Sequence, residues 1–316
     1  MPTQAMTSGG PHPVNRNTTP AAHRLHFGKF PVGCKPSILA GAMLLLVLSI
    51  GQPAWAAPAT GKAESELTNV ELCNGKDRSA PEAQIKGCTA LIDSTGQPAA
   101  ALAIAYNNRG DAYSKKSEYD RAIADYDQAI KLNPQLAKAF NNRGVAYLKK
   151  KEYGRAIENF DEAIKLNPKY GKAFANRAGT FERQGDYRRA AQDYDEAVKL
   201  EPNLDAIWIG RCWVRAILGN LQPALADCNK VLADRPDDAA ARDSRGLIYL
   251  KMGRLDSAID EFTAALRSEP SLASSHYGRG LAKLKKGNAP AAETDFAAAK
   301  KLDPKVVEEF SHYGVR

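Results

Sequence analysis

Apolar and small residues return along most of the chain with a period of 34 positions. Six consecutive copies of this pattern tile residues 103–306 without an insertion. A fixed period of this length predicts a stack of similar units, in which each unit buries its apolar flank against the next. Every copy has alanine at its twentieth place and proline near its end: Ala122, Ala156, Ala190, Ala224, Ala258 and Ala292, and Pro134, Pro168, Pro202, Pro236, Pro270 and Pro304.

The copy at residues 137–170 shows what each unit is built from. Its first half places Phe140, Gly144 and Tyr147 three and four residues apart, on one face of a helix. Its second half repeats this spacing, and a proline then ends the second helix. Small residues on the facing sides let the two helix axes approach closely, and the aromatic rings fill the remaining gap. The face of the second helix consists of Ala156, Phe160 and Ala163.

These positions resemble the motif of the tetratricopeptide repeat (TPR) family, with a large residue at place 4, Gly or Ala at 8, Tyr at 11, Ala at 20 and an aromatic residue at 24. The glycine of place 8 recurs as Gly110, Gly144, Gly246 and Gly280. The resemblance covers 204 of the 316 residues. It implies an all-α fold, a right-handed superhelical solenoid of antiparallel helix pairs. The predicted units are residues 103–136, 137–170, 171–204, 205–238, 239–272 and 273–306.

The segments on either side of the repeats predict caps. Residues 67–102 have the pattern of an irregular helical hairpin, which would cover the first unit as a degenerate repeat. Residues 307–316 place Phe310 and Gly314 where a seventh unit would have its fourth and eighth residues. We therefore expect a half-helix there that covers the apolar side of the sixth unit.

The start of the chain has the pattern of a secretory signal. Residues 1–37 contain four basic residues and no acidic one, and an apolar run of 13 residues follows at 38–50. An Ala-Trp-Ala sequence at 54–56 then suits cleavage, which makes residues 1–56 a signal peptide and 57–66 a flexible lead-in. The alternative is a retained membrane anchor, but 13 apolar residues are short against the roughly 20 needed to span a bilayer. The pattern predicts a periplasmic or secreted protein without a transmembrane segment.

Four cysteines remain after such cleavage, and an oxidising compartment favours disulfides. Cys212 and Cys228 stand at places 8 and 24 of the fourth unit, which face each other across a repeat's helix pair. Cys73 and Cys88 have nearly the same separation, so we predict the pairs Cys73–Cys88 and Cys212–Cys228. The alternative is buried free thiols that pack as small apolar residues.

Arginine occupies the seventh place of every copy, and the twenty-third place is acidic in five of six. The two places lie on opposing helices of one pair, so we predict a recurring bidentate bridge between guanidinium and carboxylate. The alternative is a row of ligand-binding arginines. The arginines are Arg109, Arg143, Arg177, Arg211, Arg245 and Arg279, and the acids are Asp125, Asp193, Asp227, Glu261 and Asp295, with Asn159 in the second unit.

The resemblance also implies a binding groove on the concave face, which the first helix of each pair lines. This groove would be polar and basic in its first half and apolar with aromatic residues in its second, which suits an extended peptide with an acidic portion and an apolar anchor. Trp213 is the strongest candidate because tryptophan is a frequent hot spot, and its alternative is core packing. The candidate peptide-binding residues are Asn107, Lys138, Asn141, Asn142, Lys172, Asn176, Arg183, Trp213 and Tyr277.

The family's carboxylate clamp, which captures a peptide C-terminus, is matched only in part. Of the positions that would form it, Asn142 and Lys172 carry the expected residues, whereas Asp111 would repel a carboxylate. The sequence therefore argues against this mode of peptide capture.

Charge and motifs argue against other function classes. The chain has a formal net charge of +8, and cleavage after residue 56 leaves 40 basic and 36 acidic residues, which is too weak a surplus to indicate nucleic-acid binding. The sequence contains no C-x-x-C pair and no nucleophile or phosphate-loop motif, so it predicts no metal, no cofactor and no enzyme activity.

The sequence thus favours a non-catalytic scaffold of the cell envelope that binds an unidentified protein or peptide in its groove. The alternative is a self-associating structural or envelope-assembly factor. An enzyme with catalytic groups scattered along the groove is the third possibility. The repeat pattern does not name the partner, because the same fold binds unrelated ligands.

Overall fold

A computed structural model describes residues 68–75 and 80–315. The predicted signal peptide at 1–56 and lead-in at 57–66 lie outside the described residues. Within the described part of the chain, helices account for the regular structure and no strand occurs. The predicted all-α class is confirmed.

The helices follow one another with short connections. Residues 68–73 are helical and form α1. The remaining helices are α2 (Pro81–Asp93), α3 (Ala99–Lys115), α4 (Tyr119–Leu132), α5 (Ala137–Lys149), α6 (Tyr153–Leu166), α7 (Gly171–Arg183), α8 (Tyr187–Leu200), α9 (Asp205–Ile217), α10 (Leu221–Asp234), α11 (Ala239–Lys251), α12 (Leu255–Ser268), α13 (Ala273–Lys285), α14 (Ala289–Leu302) and α15 (Val306–His312).

The chain divides into two compact units. Among the described residues, the N-terminal unit comprises 68–75, 80–177 and 199–201. Among the described residues, the C-terminal unit comprises 178–198 and 202–315. Each unit is a stack of antiparallel helix pairs.

One turn geometry joins the two helices of each pair. A residue with positive φ lies two positions after the end of the first helix; in the N-terminal unit these residues are Ser117 (63°) and Lys151 (64°). The following amide closes the turn on a carbonyl five residues back, as Glu152 N does on Tyr147 O at 2.9 Å. This is the Schellman ending, in which glycine is the usual residue at the left-handed position. The C-terminal unit uses glycine there: Gly185, Gly219, Gly253 and Gly287.

Close approach of the paired helices explains the glycine at place 8. A β-carbon at Gly144 would lie 2.6 Å from Phe160 Cε1, so only glycine leaves room for the ring. The same relation holds for Gly110 with Tyr126 and for Gly246 with Phe262. Phe160 itself is completely buried, and the ring fills the gap that the small residue opens.

The fourth pair replaces this glycine–aromatic contact with a disulfide. Cys212 and Cys228 are bonded, with Cα atoms 5.6 Å apart, and both are fully buried between α9 and α10. A second disulfide joins Cys73 to Cys88, with Cα atoms 4.5 Å apart, and ties α1 to α2. Both predicted cysteine pairings are confirmed.

The arginines of place 7 donate hydrogen bonds both within their own helix pair and to the preceding one. Arg109 donates from Nε and Nη2 to both carboxylate oxygens of Asp125 at 2.8 Å, within its own helix pair. Arg143 donates to Asn159 Oδ1 at 2.7 Å in its own pair and to Asp127 Oδ1 at 2.5 Å in the preceding pair. The sequence predicts the first contact but not the second, which ties neighbouring pairs together. Related contacts are Arg177–Asp161, Arg211–Asp227, Arg211–Asp195, Arg245–Glu261, Arg245–Asn229 and Arg279–Asp295.

Candidate functional site

Asparagine side chains form a continuous hydrogen-bonded row along the first helices of the N-terminal unit. We call this set the asparagine row. In each bond a carboxamide Nδ2 donates to the Oδ1 of the next residue, at distances between 2.9 and 3.3 Å. The order from donor to acceptor is Asn176, Asn141, Asn142, Asn107, Asn108 and Asn74.

The row crosses three consecutive helix pairs because asparagine recurs at places 5 and 6. Asn107 and Asn141 are buried, at 2% and 5% exposure, whereas Asn108 and Asn142 are partly exposed beside them. Asn142 Nδ2 reaches Asn107 Oδ1 at 3.1 Å, a bond that spans two successive pairs. All carboxamides therefore point the same way along the stack, and their orientations are mutually fixed.

The bonds within the row use only part of the hydrogen-bonding capacity of Asn142. A carboxamide has two N–H donors and two acceptor lone pairs, and the bond to each neighbour uses one of each. A partly exposed member such as Asn142 therefore keeps a donor and an acceptor for a ligand. This donor–acceptor pair matches the N–H and C=O of a peptide group.

The predicted basic residues of the N-terminal unit lie on the same first helices. Lys138 and Lys172 are exposed, near the starts of α5 and α7. Asp111 accepts a salt bridge from Lys115 Nζ at 2.7 Å, and Lys115 also donates to Gln84 Oε1 at 3.3 Å. Arg183 belongs to the C-terminal unit, where its guanidinium donates to Gly179 O at 2.8 Å.

The corresponding face of the C-terminal unit is aromatic and covered. Trp213 is only 5% exposed, and its ring meets the Tyr313 ring edge-on with centroids 5.1 Å apart. Tyr277 packs against Phe310 with centroids 4.9 Å apart. Both partners lie in residues 306–315, which we call the C-terminal segment. The structure thus buries Trp213 under a part of the chain for which the sequence predicts only a cap.

Lys251 joins the C-terminal segment to the repeats. Its Nζ donates to Tyr313 O at 2.8 Å, to Ala216 O at 2.8 Å and to Ile217 O at 3.0 Å. Ala216 and Ile217 end α9, so the ammonium meets the partial negative charge at a helix C-terminus. Burial lowers the pKa of Lys251 from its usual range.

Buried polar groups complete this face. Asp243 is 1% exposed and accepts hydrogen bonds from Ser274 Oγ at 2.9 Å and Ser275 Oγ at 2.5 Å. Burial also raises the pKa of Tyr187 to about 12, with Glu182 and Glu309 contributing in the same direction. The polar side chains of Asp243 and Lys251 therefore bond to other groups of the C-terminal unit itself.

Sequence reasoning selects Asn107, Asn141, Asn142 and Asn176 one by one but misses that they bond to each other. It also misses Asn74 and Asn108 as members. The signal was available, since the Asn-Asn doublets at 107–108 and 141–142 recur at one repeat's distance. No sequence pattern indicated that Tyr313 contacts the repeats, because this residue lies outside the periodic part of the chain.

The described residues hold no group of three or more His, Cys, Asp and Glu placed to bind a metal ion. No helix among them has the length and apolarity that crossing a membrane requires.

Models of one protein family match the repeats. A model described as TPR repeat matches residues 110–151, and one described as tetratricopeptide repeat matches 137–170. A further tetratricopeptide repeat model matches residues 176–239 and 244–306. The chain belongs to the tetratricopeptide repeat family.

Solved TPR structures share the fold at low sequence identity. A TPR protein from Parabacteroides merdae ATCC 43184 is 18% identical, with 79% of this chain and 99% of that chain covered and a TM-score of 0.58. PilW, a widely conserved type IV pilus biogenesis factor, is 19% identical, with 66% and 98% covered and a TM-score of 0.57.

A chain of the APC/C hetero-tetramer Cut9-Hcn1 is 15% identical, with a TM-score of 0.60. The alignment covers 80% of this TPR chain and 52% of that chain, so our protein spans about half of it. At these identities the similarity shows the fold alone. No curated protein sequence matches the chain.

Proposed function

We propose that this TPR protein is a non-catalytic scaffold that binds an extended peptide segment of another protein on the first-helix face of its N-terminal unit. The observation that carries the proposal is the asparagine row. Its members share an orientation that is fixed by hydrogen bonds to each other, and Asn108 and Asn142 among them remain partly exposed.

The row suits the main chain of a peptide rather than particular side chains. An extended segment presents N–H and C=O groups at regular intervals, and a carboxamide pairs with both. Because neighbouring asparagines already hold each other in place, little side-chain entropy is lost when a ligand binds. The same logic makes the site tolerant of ligand sequence, which is what a scaffold requires.

Basic residues supply a preference for acidic segments. Lys138 and Lys172 are exposed on the first helices that carry the row. Exposed charges of this kind raise association rates and select against basic ligands more than they add affinity. We therefore expect the preferred ligand to be extended and acidic.

The cell envelope is the proposed place of action. The two disulfides are typical of an oxidising compartment, and the basic, apolar and Ala-x-Ala regions at the start of the chain fit a cleaved signal. Mass spectrometry of the protein isolated from its source cells would test this, with a mature N-terminus near residue 57 expected. A chain that retains residues 1–56 in the cell would contradict it.

The peptide site is tested with a random library of displayed 12-residue peptides panned against residues 57–316. Selected peptides are then titrated against the parent protein and against Asn142→Ala, which interrupts the row at a partly exposed member. We expect enrichment of acidic peptides and a loss of affinity of about tenfold for the variant, as for one hydrogen-bonded contact removed.

Two charge variants sharpen the test. Lys172→Glu lies on the first-helix face and should weaken binding of acidic peptides, whereas Lys131→Glu lies exposed on the second helix of its pair and should not. Peptides that bind all four proteins equally would show that the asparagine row is not the site.

A further inference from the structure

The apolar side chains of the C-terminal segment are almost completely buried. Val306 and Phe310 are 1% exposed, Tyr313 is 5% exposed and Val315 is 7% exposed. α15 ends in the same Schellman geometry as the first helices, with Gly314 at a φ of 72° and Val315 N bonded to Phe310 O at 3.1 Å. Four side chains within these ten residues are thus removed from contact with water.

The segment also reaches further than a cap. A cap on the sixth repeat has to cover only α13 and α14, which α15 does contact. The Phe310 ring meets Tyr277 of α13, but Tyr313 continues to Lys251 at the end of α11 and to Trp213 of α9. The segment therefore contacts three successive first helices, which is how a bound ligand contacts a repeat stack.

Lys251 gives this contact a chemical preference. Its ammonium already serves the carbonyls that end α9, and its third hydrogen bond goes to the carbonyl of Tyr313 just after the end of α15. A half-buried ammonium held by backbone carbonyls favours a second helix end, because unpaired carbonyls point outward there. This contact favours an occupant that is a short helix followed directly by an aromatic residue, as α15 is followed by Tyr313.

We propose that the face formed by α9, α11 and α13 is a binding site for a helical turn with two aromatic residues three positions apart, and that residues 306–315 are its built-in occupant. A segment of a partner protein with this chemistry binds by displacing the C-terminal segment. The proposal concerns the C-terminal unit and stands independently of the asparagine row in the N-terminal unit.

Because the C-terminal segment occupies the site, it competes with any partner that binds there. Only the fraction of molecules with the segment released can bind a partner, so the apparent affinity falls by that fraction. A partner must therefore match or exceed the contacts that Phe310 and Tyr313 make. The other conceivable occupant is the C-terminal segment of a second copy, which would exchange between molecules.

The test uses residues 57–316 and a labelled synthetic peptide of residues 304–316. The host variant is Phe310→Ala combined with Tyr313→Ala, which removes both rings from the built-in occupant. We expect the peptide to bind this variant at least about tenfold more tightly than the parent, because the site is no longer occupied. Trp213 emission should shift to longer wavelength in the variant and return when the peptide binds.

Matched controls separate the two faces of the segment. Val307→Ala combined with Ser311→Ala changes exposed residues of α15 and should bind the peptide no better than the parent. A peptide with alanine in place of both aromatic residues should bind no protein. If the variant keeps the parent's circular dichroism and still fails to bind the natural peptide, the proposal is wrong.

A second form of the protein covers the case in which the double variant does not fold. A protease site inserted between Pro304 and Lys305, both exposed, allows the segment to be cut after folding. We expect the cut segment to exchange with labelled peptide within the time of a gel-filtration run. A segment that never exchanges is a fixed cap, which overturns the proposal. Dimers of the uncut protein in light scattering, linked by exchanged segments, would assign the site to a second copy and would also overturn it.

Discussion

The first-helix faces of the two units carry different side chains on the same repeat. In the N-terminal unit this face carries the asparagine row, in which partly exposed carboxamides alternate with buried ones. In the C-terminal unit it carries Trp213, Tyr277 and Lys251, and the C-terminal segment covers it. The difference shows that packing between paired helices constrains places 8, 20 and 24 of the repeat, whereas the residue types at places 5, 6, 9 and 13 vary between the two units.

The interiors of the two units differ as well. The first two pairs of the N-terminal unit join their helices through glycine–aromatic contacts. The C-terminal unit keeps this contact in its fifth pair, between Gly246 and Phe262, but its fourth pair uses the Cys212–Cys228 bond instead. If the disulfide replaces the glycine–aromatic contact, either one should stabilise a helix pair in place of the other. Three changes test how far this comparison holds.

The largest expected effect comes from removing the fourth pair's bond. Replacing Cys212 and Cys228 by serine should lower the free energy of unfolding by about 3 kcal/mol, because the disulfide closes a short loop of the unfolded chain. Cys212→Gly combined with Cys228→Phe rebuilds the contact seen at Gly144 and Phe160 and should recover part of the loss. Urea denaturation followed by circular dichroism measures both. A rebuilt pair no more stable than the serine pair would show that the two solutions are not equivalent.

A smaller effect is expected at the glycine of the second pair. Gly144→Ala puts a β-carbon 2.6 Å from Phe160 Cε1 and should destabilise the N-terminal unit by about 1–3 kcal/mol through overpacking. Phe160→Leu in the same chain should relieve the clash.

The matched control is Gly154→Ala in α6, where nothing lies within 4 Å of the added carbon. It should leave the free energy of unfolding unchanged or raise it by up to about 1 kcal/mol, since alanine suits a helix better than glycine. Equal thermal shifts for Gly144→Ala and Gly154→Ala would contradict the packing argument.

The smallest effect concerns the turns between paired helices. Lys151 holds a φ of 64° where the C-terminal unit has glycine, so Lys151→Gly should raise the free energy of unfolding by about 0.5–1 kcal/mol. The converse change, Gly253→Ala at a φ of 72°, should lower it by a similar amount. Differential scanning calorimetry resolves the two signs, and a loss of stability for Lys151→Gly would mean that the lysine side chain offsets its backbone strain.

Much of this fold was predictable because the repeat enforces one register. Places 8 and 24 face each other in every pair, so the pairing of Cys212 with Cys228 followed from their positions alone. The contact of each arginine with the preceding pair was not predictable in the same way. Its acceptor at place 25 is Asp127, Asp161 or Asp195 in some copies but Asn229 or Thr263 in others, so no constant residue type marks it.

The candidate sites divide along the same line. The asparagine row lies within the repeats, where a residue's place on the helix follows from its number, and four of its members were selected from the sequence. The course of the C-terminal segment depends on tertiary contacts of Tyr313 with Trp213 and Lys251. Periodicity describes how each pair meets its neighbour, and it carries no information about a tail that crosses several pairs.

The arginine contacts have a consequence for how such a chain can lengthen or shorten. Each of the first five copies brings a guanidinium that bonds backward and, at place 25, an acceptor for the arginine of the next copy, as Asp127 accepts from Arg143. Even the first copy finds a substitute, because Arg109 donates to Thr89 of the preceding hairpin at 3.1 Å. A block of 34 residues can therefore be duplicated or lost during evolution without leaving a partly buried arginine side chain without an acceptor. Selection can thus adjust the number of repeats.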